Sequence, residues 1–221
     1  MQQFEQWLSE PGAGANLLKV ESQLLHAILD QRKSKSVLQI GGKALLNFGD
    51  HTKTHYVHQH EEMGFFSPGH SVCAAKLQLP YRDSSMSIVV CPHGHELCEE
   101  KEQEPLIKEC ARVLDDEGVF LLFGINLLGS WTLNRLVNHH SLHWAPRIHS
   151  VMQIEKMANQ AGLKLMSVEY FSITDYDLMM PMMDIKLDQR NATRRFSPCY
   201  MALLAHEHCE FVWDNGYMVG S

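Results

Sequence analysis

The segment "CPHGHELC" places four side chains capable of metal binding or proton transfer within eight residues: Cys91, His93, His95 and Cys98. Thiolate and imidazole groups are ligands that tetrahedral zinc accepts. Their spacing does not match a standard zinc finger, and Cys91 ends an apolar run typical of a buried strand. An imidazole also titrates near neutral pH and can act as a general base towards a hydroxyl group. We therefore predict no metal site and take His93 as the candidate catalytic residue, with a zinc site as the weaker alternative.

A glycine turn follows the segment "SVLQI" and forms a second candidate site. The five residues 36–40 have the apolar character of a buried strand, and Gly41 and Gly42 come directly after it. Glycine has no Cβ atom, so the backbone of such a turn can approach a ligand closely. We predict a tight turn of the kind at which many α/β proteins hold a cofactor.

Strands alternate with helices along the chain, which predicts an α/β fold with a mainly parallel sheet. We expect the last two strands to form an antiparallel hairpin and the residues 115–118, "DDEG", to form a turn. Ligands bind at the carboxyl ends of strands in such sheets, so the glycine turn and the segments after Cys91 and Gly124 should share one edge. Predicted helices cover residues 17–29, 106–114 and 151–161; predicted strands cover 36–40, 54–60, 70–80, 86–91, 119–125, 163–173 and 198–208.

Composition narrows the class of protein and of partner. The chain has 221 residues, 45% of them hydrophobic, which is enough for one large α/β domain. A formal net charge of -7 argues against nucleic acid as a partner. The sequence lacks a signal-peptide pattern and an apolar run long enough to span a membrane, so we expect a cytoplasmic protein with reduced cysteines. We predict a single domain made of a helical segment (1–35), a core (36–208) and a C-terminal appendage (209–221).

Two longer segments carry a family resemblance. "LPYRDSSMSIVVCPHGHEL" and "EPLIKECARVLDDEGVFLLFGIN" resemble the middle of class I S-adenosylmethionine (SAM)-dependent methyltransferases of the type 11 kind. The Leu-Pro-aromatic step at 79–81 and the Arg-Val-Leu step at 112–114 are in the family's register, and the resemblance extends from Val37 to His206. The segments "FEQWLSEPGAGANLLKVESQLL" and "FGINLLGSWTLNRLV" also resemble a poorly characterised proteobacterial group with a degenerate SAM motif. The resemblance implies the Rossmann-like class I methyltransferase fold.

The resemblance also implies a site for SAM, with Gly41 and Gly42 under its methionine moiety and Gln39 beside them. His93 would face the methyl acceptor. Independently of the resemblance, the flexible apolar side chains of Met179, Met180, Met182 and Met183 suit a lid, an acceptor pocket or a partner surface, and packing in the core or as a lid is the simplest interpretation. The remaining cofactor contacts that it implies are Glu61 or Glu62 at the ribose, Ala75, Lys76 and Leu77 at the adenine, and Cys91.

Several of these positions depart from the family pattern. The first motif, D-x-G-x-G-x-G, reads Gln39, Gly41, Lys43 and Leu45 here, and the acid expected at the adenine is Ala75. Two hypotheses follow. The first is a SAM-dependent methyltransferase acting on an unidentified acceptor, a small molecule or a protein. The second is a catalytically inactive protein of the same fold that binds or regulates a protein partner.

Overall fold

The computed structural model of the protein describes residues 2–32, 36–46, 53–58, 70–73, 75, 77–132, 147–173 and 197–210. Five helices and seven strands lie within these ranges. The helices are α1 (Gln2–Ser9), α2 (Ala13–Arg32), α3 (Gly94–Leu97), α4 (Glu100–Val113) and α5 (Val151–Gln160). The strands are β1 (Ser36–Ile40), β2 (Lys53–His58), β3 (His70–Cys73), β4 (Met86–Pro92), β5 (Leu114–Ile125), β6 (Leu163–Phe171) and β7 (Cys199–His206).

The seven strands form one sheet in the order β3-β2-β1-β4-β5-β7-β6. The strands β1 to β5 run parallel, whereas β7 runs antiparallel to both β5 and β6. This confirms the predicted α/β fold with a mainly parallel sheet and a final antiparallel hairpin. The chain order reverses between β1 and β4, so the carboxyl ends of these two strands meet at the point where such sheets bind ligands.

Helix α2 packs on the sheet through an apolar stripe, as its sequence period predicts. Leu17, Leu24, Leu25 and Ile28 recur at helical spacing and are almost completely buried. Glu21 lies in the same stripe, and its side chain is only 1% exposed. A carboxylate in this position must find a partner inside the protein, because burying an unpaired charge is costly.

Helix α5 confirms the predicted helix over residues 151–161 to within one residue, and both of its ends have local signals. Ser150 caps the helix, accepting a hydrogen bond from the Gln153 amide, while the Gln153 side chain returns to the Ser150 backbone. Gly162 follows the helix with a φ of 79°, the left-handed conformation that glycine adopts most easily.

Three local predictions differ from the structure. Strand β3 ends at Cys73, not near Pro80. Helix α4 begins at Glu100 rather than at residue 106, so Pro105 lies inside it. The segment 115–118 does not form a separate turn; it bulges within β5, since Met86 pairs with Leu114 but Ile88 pairs with Val119.

A half-exposed polar network joins α4 to the segment that precedes β4. The Arg112 guanidinium donates to both Glu109 carboxylate oxygens, at 2.9 and 2.7 Å, to Asp83 at 2.5 Å, and to the carbonyls of Tyr81 and Leu79 at 2.9 and 3.1 Å. Glu109 also accepts the Leu79 amide at 2.7 Å. We call these residues the Arg112 network.

Among the described residues, no helix combines the length and the apolar character needed to cross a membrane. The methionine-rich segment 179–183 and residues 211–221 of the predicted appendage lie outside the described residues. The division into a helical segment, a core and an appendage stays a prediction.

Candidate functional site

The turn after β1 lies at the carboxyl edge of the sheet. Gly41 and Gly42 have φ angles of 67° and 69°, a conformation that residues with a side chain rarely adopt. The Gly41 amide donates to the Val57 carbonyl at 2.8 Å, which fixes the turn against β2. A Cβ atom built on Gly42 would lie 3.4 Å from the Cβ of Pro92, the last residue of β4. The turn therefore brings the ends of β1 and β4 together, with the backbone of Gly42 partly exposed.

Gln39 uses its carboxamide to hold this turn. Its Nε2 donates to the carbonyls of Gly41 and Lys43, at 3.0 and 2.8 Å, and its Oε1 accepts the Leu45 amide at 3.1 Å. Both amide protons are therefore used within the loop, and the side chain is 1% exposed. Gln39 shapes the loop from below, and its predicted contact with the cofactor is not supported by this arrangement.

Three further contacts hold the rest of the loop. The Ser22 hydroxyl of α2 donates to the Leu45 carbonyl at 2.6 Å, and the Tyr56 hydroxyl of β2 donates to the Leu46 carbonyl at 2.9 Å. Lys43 reaches Ser9 of α1 at 3.3 Å. The N-terminal helices therefore lie against the same edge as the glycine turn.

His93 follows β4 and is completely buried, with a left-handed φ of 54°. Its Nε2 donates to Glu21 Oε1 at 2.8 Å, and its Nδ1 donates to Glu96 Oε2 at 2.7 Å. Glu96 also accepts the Ile125 amide on Oε1 at 2.6 Å. We call Glu21, His93 and Glu96 the buried triad. It joins α2 to the carboxyl ends of β4 and β5.

The triad strongly favours a protonated His93. Burial opposes the positive charge, but the carboxylates of Glu21 and Glu96 outweigh it and raise the pKa of His93 to about 10. Burial also raises the pKa of Glu21, against the effect of the His93 charge and together with repulsion from Glu96. With both ring nitrogens engaged and the proton firmly held, His93 in this arrangement is not poised to act as a base. Its predicted catalytic role is not supported by the geometry.

The other side chains of "CPHGHELC" do not converge on a metal position. The His95 ring is buried and lies 3.4 Å from the Tyr200 hydroxyl, and burial lowers the pKa of His95 to about 4. The Cys98 thiol donates to the His95 carbonyl at 3.5 Å. Within the described part of the chain, no group of three or more His, Cys, Asp or Glu side chains could hold a metal ion. The alternative of a zinc site at this segment therefore finds no ligand set among the described residues.

The predicted cofactor contacts divide into accessible, buried and undescribed positions. Ala75 and Leu77 are exposed. Cys91 is fully buried in the apolar core, where its Sγ leaves room only for a glycine at Gly94, so a direct cofactor contact is not supported. Glu61, Glu62 and Lys76 lie outside the described residues. Among the described residues, the accessible groups near this edge therefore include the backbone of Gly42 and the side chains of Lys43, Ala75 and Leu77.

Sequence reasoning missed Glu21 and Glu96 as members of the site. A signal for Glu21 was available, because it occupies an apolar position in the helical period of α2. Glu96 had no comparable local signal. Its role depends on contacts with His93 and Ile125, and the contact with Ile125 is 29 residues distant in the chain.

Comparison with known proteins identifies the fold. Residues 51–122 match a family described as "Methyltransferase domain", a stretch that begins after the glycine turn. A SAM-dependent methyltransferase from Thermotoga maritima, a possible histamine N-methyltransferase, is 14% identical with a TM-score of 0.64, over 93% of this chain and 95% of that one. Magnesium protoporphyrin IX methyltransferase from Synechocystis PCC 6803, with bound S-adenosylhomocysteine (SAH), is 13% identical with a TM-score of 0.62, over 93% and 94%.

A third solved structure is a complex from Haloferax volcanii. It contains the Trm112 methyltransferase activator and a proposed methyltransferase, with 12% identity, a TM-score of 0.57, and coverage of 93% of this chain and 98% of that one. A search of curated proteins found no match. At these identities the likeness shows the fold, and the protein has the Rossmann-like class I methyltransferase fold.

Proposed function

We propose that this protein binds SAM at the carboxyl edge of β1 and β4 and transfers its methyl group to an acceptor. The observation that carries the proposal is the pair of left-handed glycines, Gly41 and Gly42, after β1 in a sheet of this strand order. In this position the backbone can pass close to a ligand. The match of residues 51–122 to a methyltransferase family supports the same assignment.

The residues present fit the cofactor through backbone and apolar contacts. Gly41 and Gly42 would lie under the methionine moiety, and Ala75 and Leu77 would flank the adenine. Glu61 or Glu62 would reach the ribose hydroxyls. When bound, SAM supplies an electrophilic methyl group, and the contribution of this chain is to align it with the acceptor. The methyl acceptor would be either a small molecule or a protein.

Titration with SAM and SAH by calorimetry and thermal shift tests this proposal. Ala75 stands where the family has an acid at the adenine amino group, and its side chain is exposed, so Ala75→Asp should be tolerated. We expect this variant to bind SAH about five- to tenfold more tightly than the wild type, the effect of one added hydrogen bond to a charged acceptor. Gln78→Asp, another exposed position nearby, is the control and should leave the affinity unchanged.

Absence of binding at millimolar SAM and SAH, in both the wild type and Ala75→Asp, would contradict the proposal. A gain in affinity shared equally by Gln78→Asp would contradict the placement of the adenine.

A second candidate is a non-catalytic protein that binds a partner through the same edge. Leu127 and Leu128, which follow β5 at this edge, are 40% and 61% exposed. The Haloferax volcanii complex illustrates that a protein of this fold can bind a protein partner. This candidate becomes the better one if the two titrations above detect no binding, and serine substitutions of both leucines would then be the first variants to test against an isolated partner.

A further inference from the structure

The buried triad contains an unusual excess of negative charge. Two carboxylates, Glu21 and Glu96, share a single imidazolium, His93, and the three side chains are between 0% and 1% exposed. The triad therefore holds two acidic side chains for one basic side chain, and burial raises the pKa of Glu21 against the effect of the His93 charge. A buried charge without a partner costs several kcal/mol in proteins, so such an arrangement calls for a second cation.

The described titratable groups that face the triad do not supply that cation. His95 is neutral at pH 7, because burial lowers its pKa to about 4. Burial, with smaller contributions from Glu21 and Glu96, raises the pKa of the Cys199 thiol well above its usual value. Burial and then Glu96 do the same to the Tyr200 hydroxyl. Both groups are therefore uncharged at neutral pH.

The unmatched charge coincides with an unsatisfied atom. Glu21 Oε1 accepts from His93, whereas Glu21 Oε2 is buried and has no hydrogen-bond partner. Buried carboxylate oxygens are rarely left unpaired in native structures. This atom therefore marks the position at which a ligand group would complete the triad.

The position of Glu21 relates this atom to the candidate site. We call residues 41–46 the glycine loop. Ser22, the residue after Glu21, donates to the Leu45 carbonyl of this loop, and Glu21 itself contacts His93, which follows the last residue of β4. Glu21 therefore lies between the glycine loop and the end of β4. The hydrogen bonds of Ser22 in α2 and of Lys43 to Ser9 in α1 hold the loop over this atom, so a ligand that reaches Glu21 has to displace them.

We propose that Glu21 is the anionic part of a binding site for a small organic cation, and specifically for a sulfonium group, at the carboxyl edge of β1 and β4. Glu96 and His93 position the Glu21 carboxylate. The Glu21 carboxylate would then supply the negative charge that the family motif provides at position 39. Gln39 cannot supply this charge, because its side chain is a neutral carboxamide that bonds within its own loop. The identity of the natural ligand as SAM rests on the proposed function; the charge preference of the site does not.

Trimethylsulfonium chloride tests the charge preference without the adenosine part of SAM. At about 100 mM, compared with sodium chloride at the same ionic strength, it should raise the melting temperature of the wild type by roughly 2–4 °C. Glu21→Gln, which retains the shape of the side chain, should lose this increase. Glu96→Gln removes one negative charge from the same triad and should also lose it, so it serves if Glu21→Gln does not fold. Glu10→Gln, at an exposed position, is the control.

The natural ligand is tested by the ratio of SAM to SAH affinity, because the two differ only in the methyl group and the sulfonium charge. Glu21→Gln should weaken SAM about tenfold relative to SAH, whereas Glu10→Gln should leave the ratio unchanged. If trimethylsulfonium protects only the proteins that retain Glu21 and Glu96, and neither SAM nor SAH binds, the charge site stands and the proposed function fails. If trimethylsulfonium gives no increase in the wild type, or an equal one in Glu21→Gln, the charge site is overturned, whatever the SAM and SAH affinities are.

Discussion

The buried triad and the Arg112 network are both built from acids around a single base, yet they differ in completeness. Arg112 is one-third exposed and donates to four partners, and its carboxylate partner Glu109 also accepts a backbone amide. The triad is fully buried, carries an excess carboxylate and leaves one oxygen without a partner. A completed network suits a structural role, whereas an incomplete buried one is typical of a binding site.

The largest expected difference between the two regions follows from His93→Ala. Removing the imidazolium leaves two buried carboxylates without the cation that they share, which should lower the free energy of unfolding by about 3–5 kcal/mol. Urea unfolding at pH 7 measures this effect. His208→Ala, at an exposed position, is the control and should change the free energy by less than about 0.5 kcal/mol. A loss below about 1 kcal/mol for His93→Ala would mean that the triad is not charged as described.

The pH dependence of stability should distinguish the same two regions by its sign. The folded pKa of His93 is about 10 against an ordinary value of 6.5, so its contribution is complete below pH 6.5 and is lost as the pH rises towards 10. The raised pKa of Glu21 acts in the same direction. Arg112 first, and then the Leu79 amide, lower the pKa of Glu109 against the effect of burial, so its contribution is present above pH 4.5 and is lost as the pH falls.

Urea unfolding between pH 6.5 and 9.5 should therefore show stability decreasing in the wild type and a flatter profile in His93→Ala. Below pH 4.5 the Arg112 network should weaken instead. The free energy of unfolding of an Arg112→Met variant should therefore fall less steeply than that of the wild type as the pH decreases below 4.5. Equal slopes for His93→Ala and the wild type would contradict the assignment of the alkaline loss to the triad.

The glycine loop should give an effect between those of the buried triad and the Arg112 network. Its interior is uncharged, and the carboxamide of Gln39 has a hydrogen-bond partner for each of its polar atoms. Gln39→Leu would leave two carbonyls and one amide without the partners that the carboxamide supplies, and we expect a loss of about 2–4 kcal/mol. Thermal or urea unfolding measures the loss, with the exposed Gln160→Leu as its control. An unchanged free energy of unfolding would indicate that the loop finds other partners.

The smallest effect should come from Arg112→Met. The side chain is partly exposed, so water replaces much of what the guanidinium provides, and we expect a loss of about 1–2 kcal/mol. Lys108→Met, on the exposed face of the same helix, is the control. If Arg112→Met destabilised the protein as much as His93→Ala, the contrast between a complete and an incomplete network would fail.

Much of the fold could be predicted from sequence patterns, because these patterns act over a few residues. The predicted helices over 17–29 and 151–161 and the predicted strands over 86–91 and 119–125 each correspond to an observed element. The errors occurred where pairing decided the outcome. The segment 115–118 reads as a turn by composition, but pairing with β4 on both sides holds it as a bulge within β5.

The candidate site was predicted less well. Gly41 and Gly42 were assigned to the correct turn, since a left-handed backbone leaves a direct mark in the sequence. Gln39 and Cys91 were expected to contact the cofactor and His93 to face the acceptor, and all three are buried. Residue type alone does not reveal exposure at the end of a strand, because that depends on which helix covers the strand.

The sequence by itself determined the alternation of helices and strands and the glycine turn. It also showed that Gln39 and Ala75 stand where the family pattern has acidic residues. Only the tertiary structure decided that His93 is held between two carboxylates. Glu21 and His93 are 72 residues apart in the chain, and neither residue has a local pattern that indicates the other. Their contact exists because α2 packs its apolar stripe, with Glu21 in it, against the sheet at the end of β4. Such a charge pair depends on how the helix packs on the sheet. Sequence periodicity predicts which face of a helix is buried, but it does not predict which residue that face contacts.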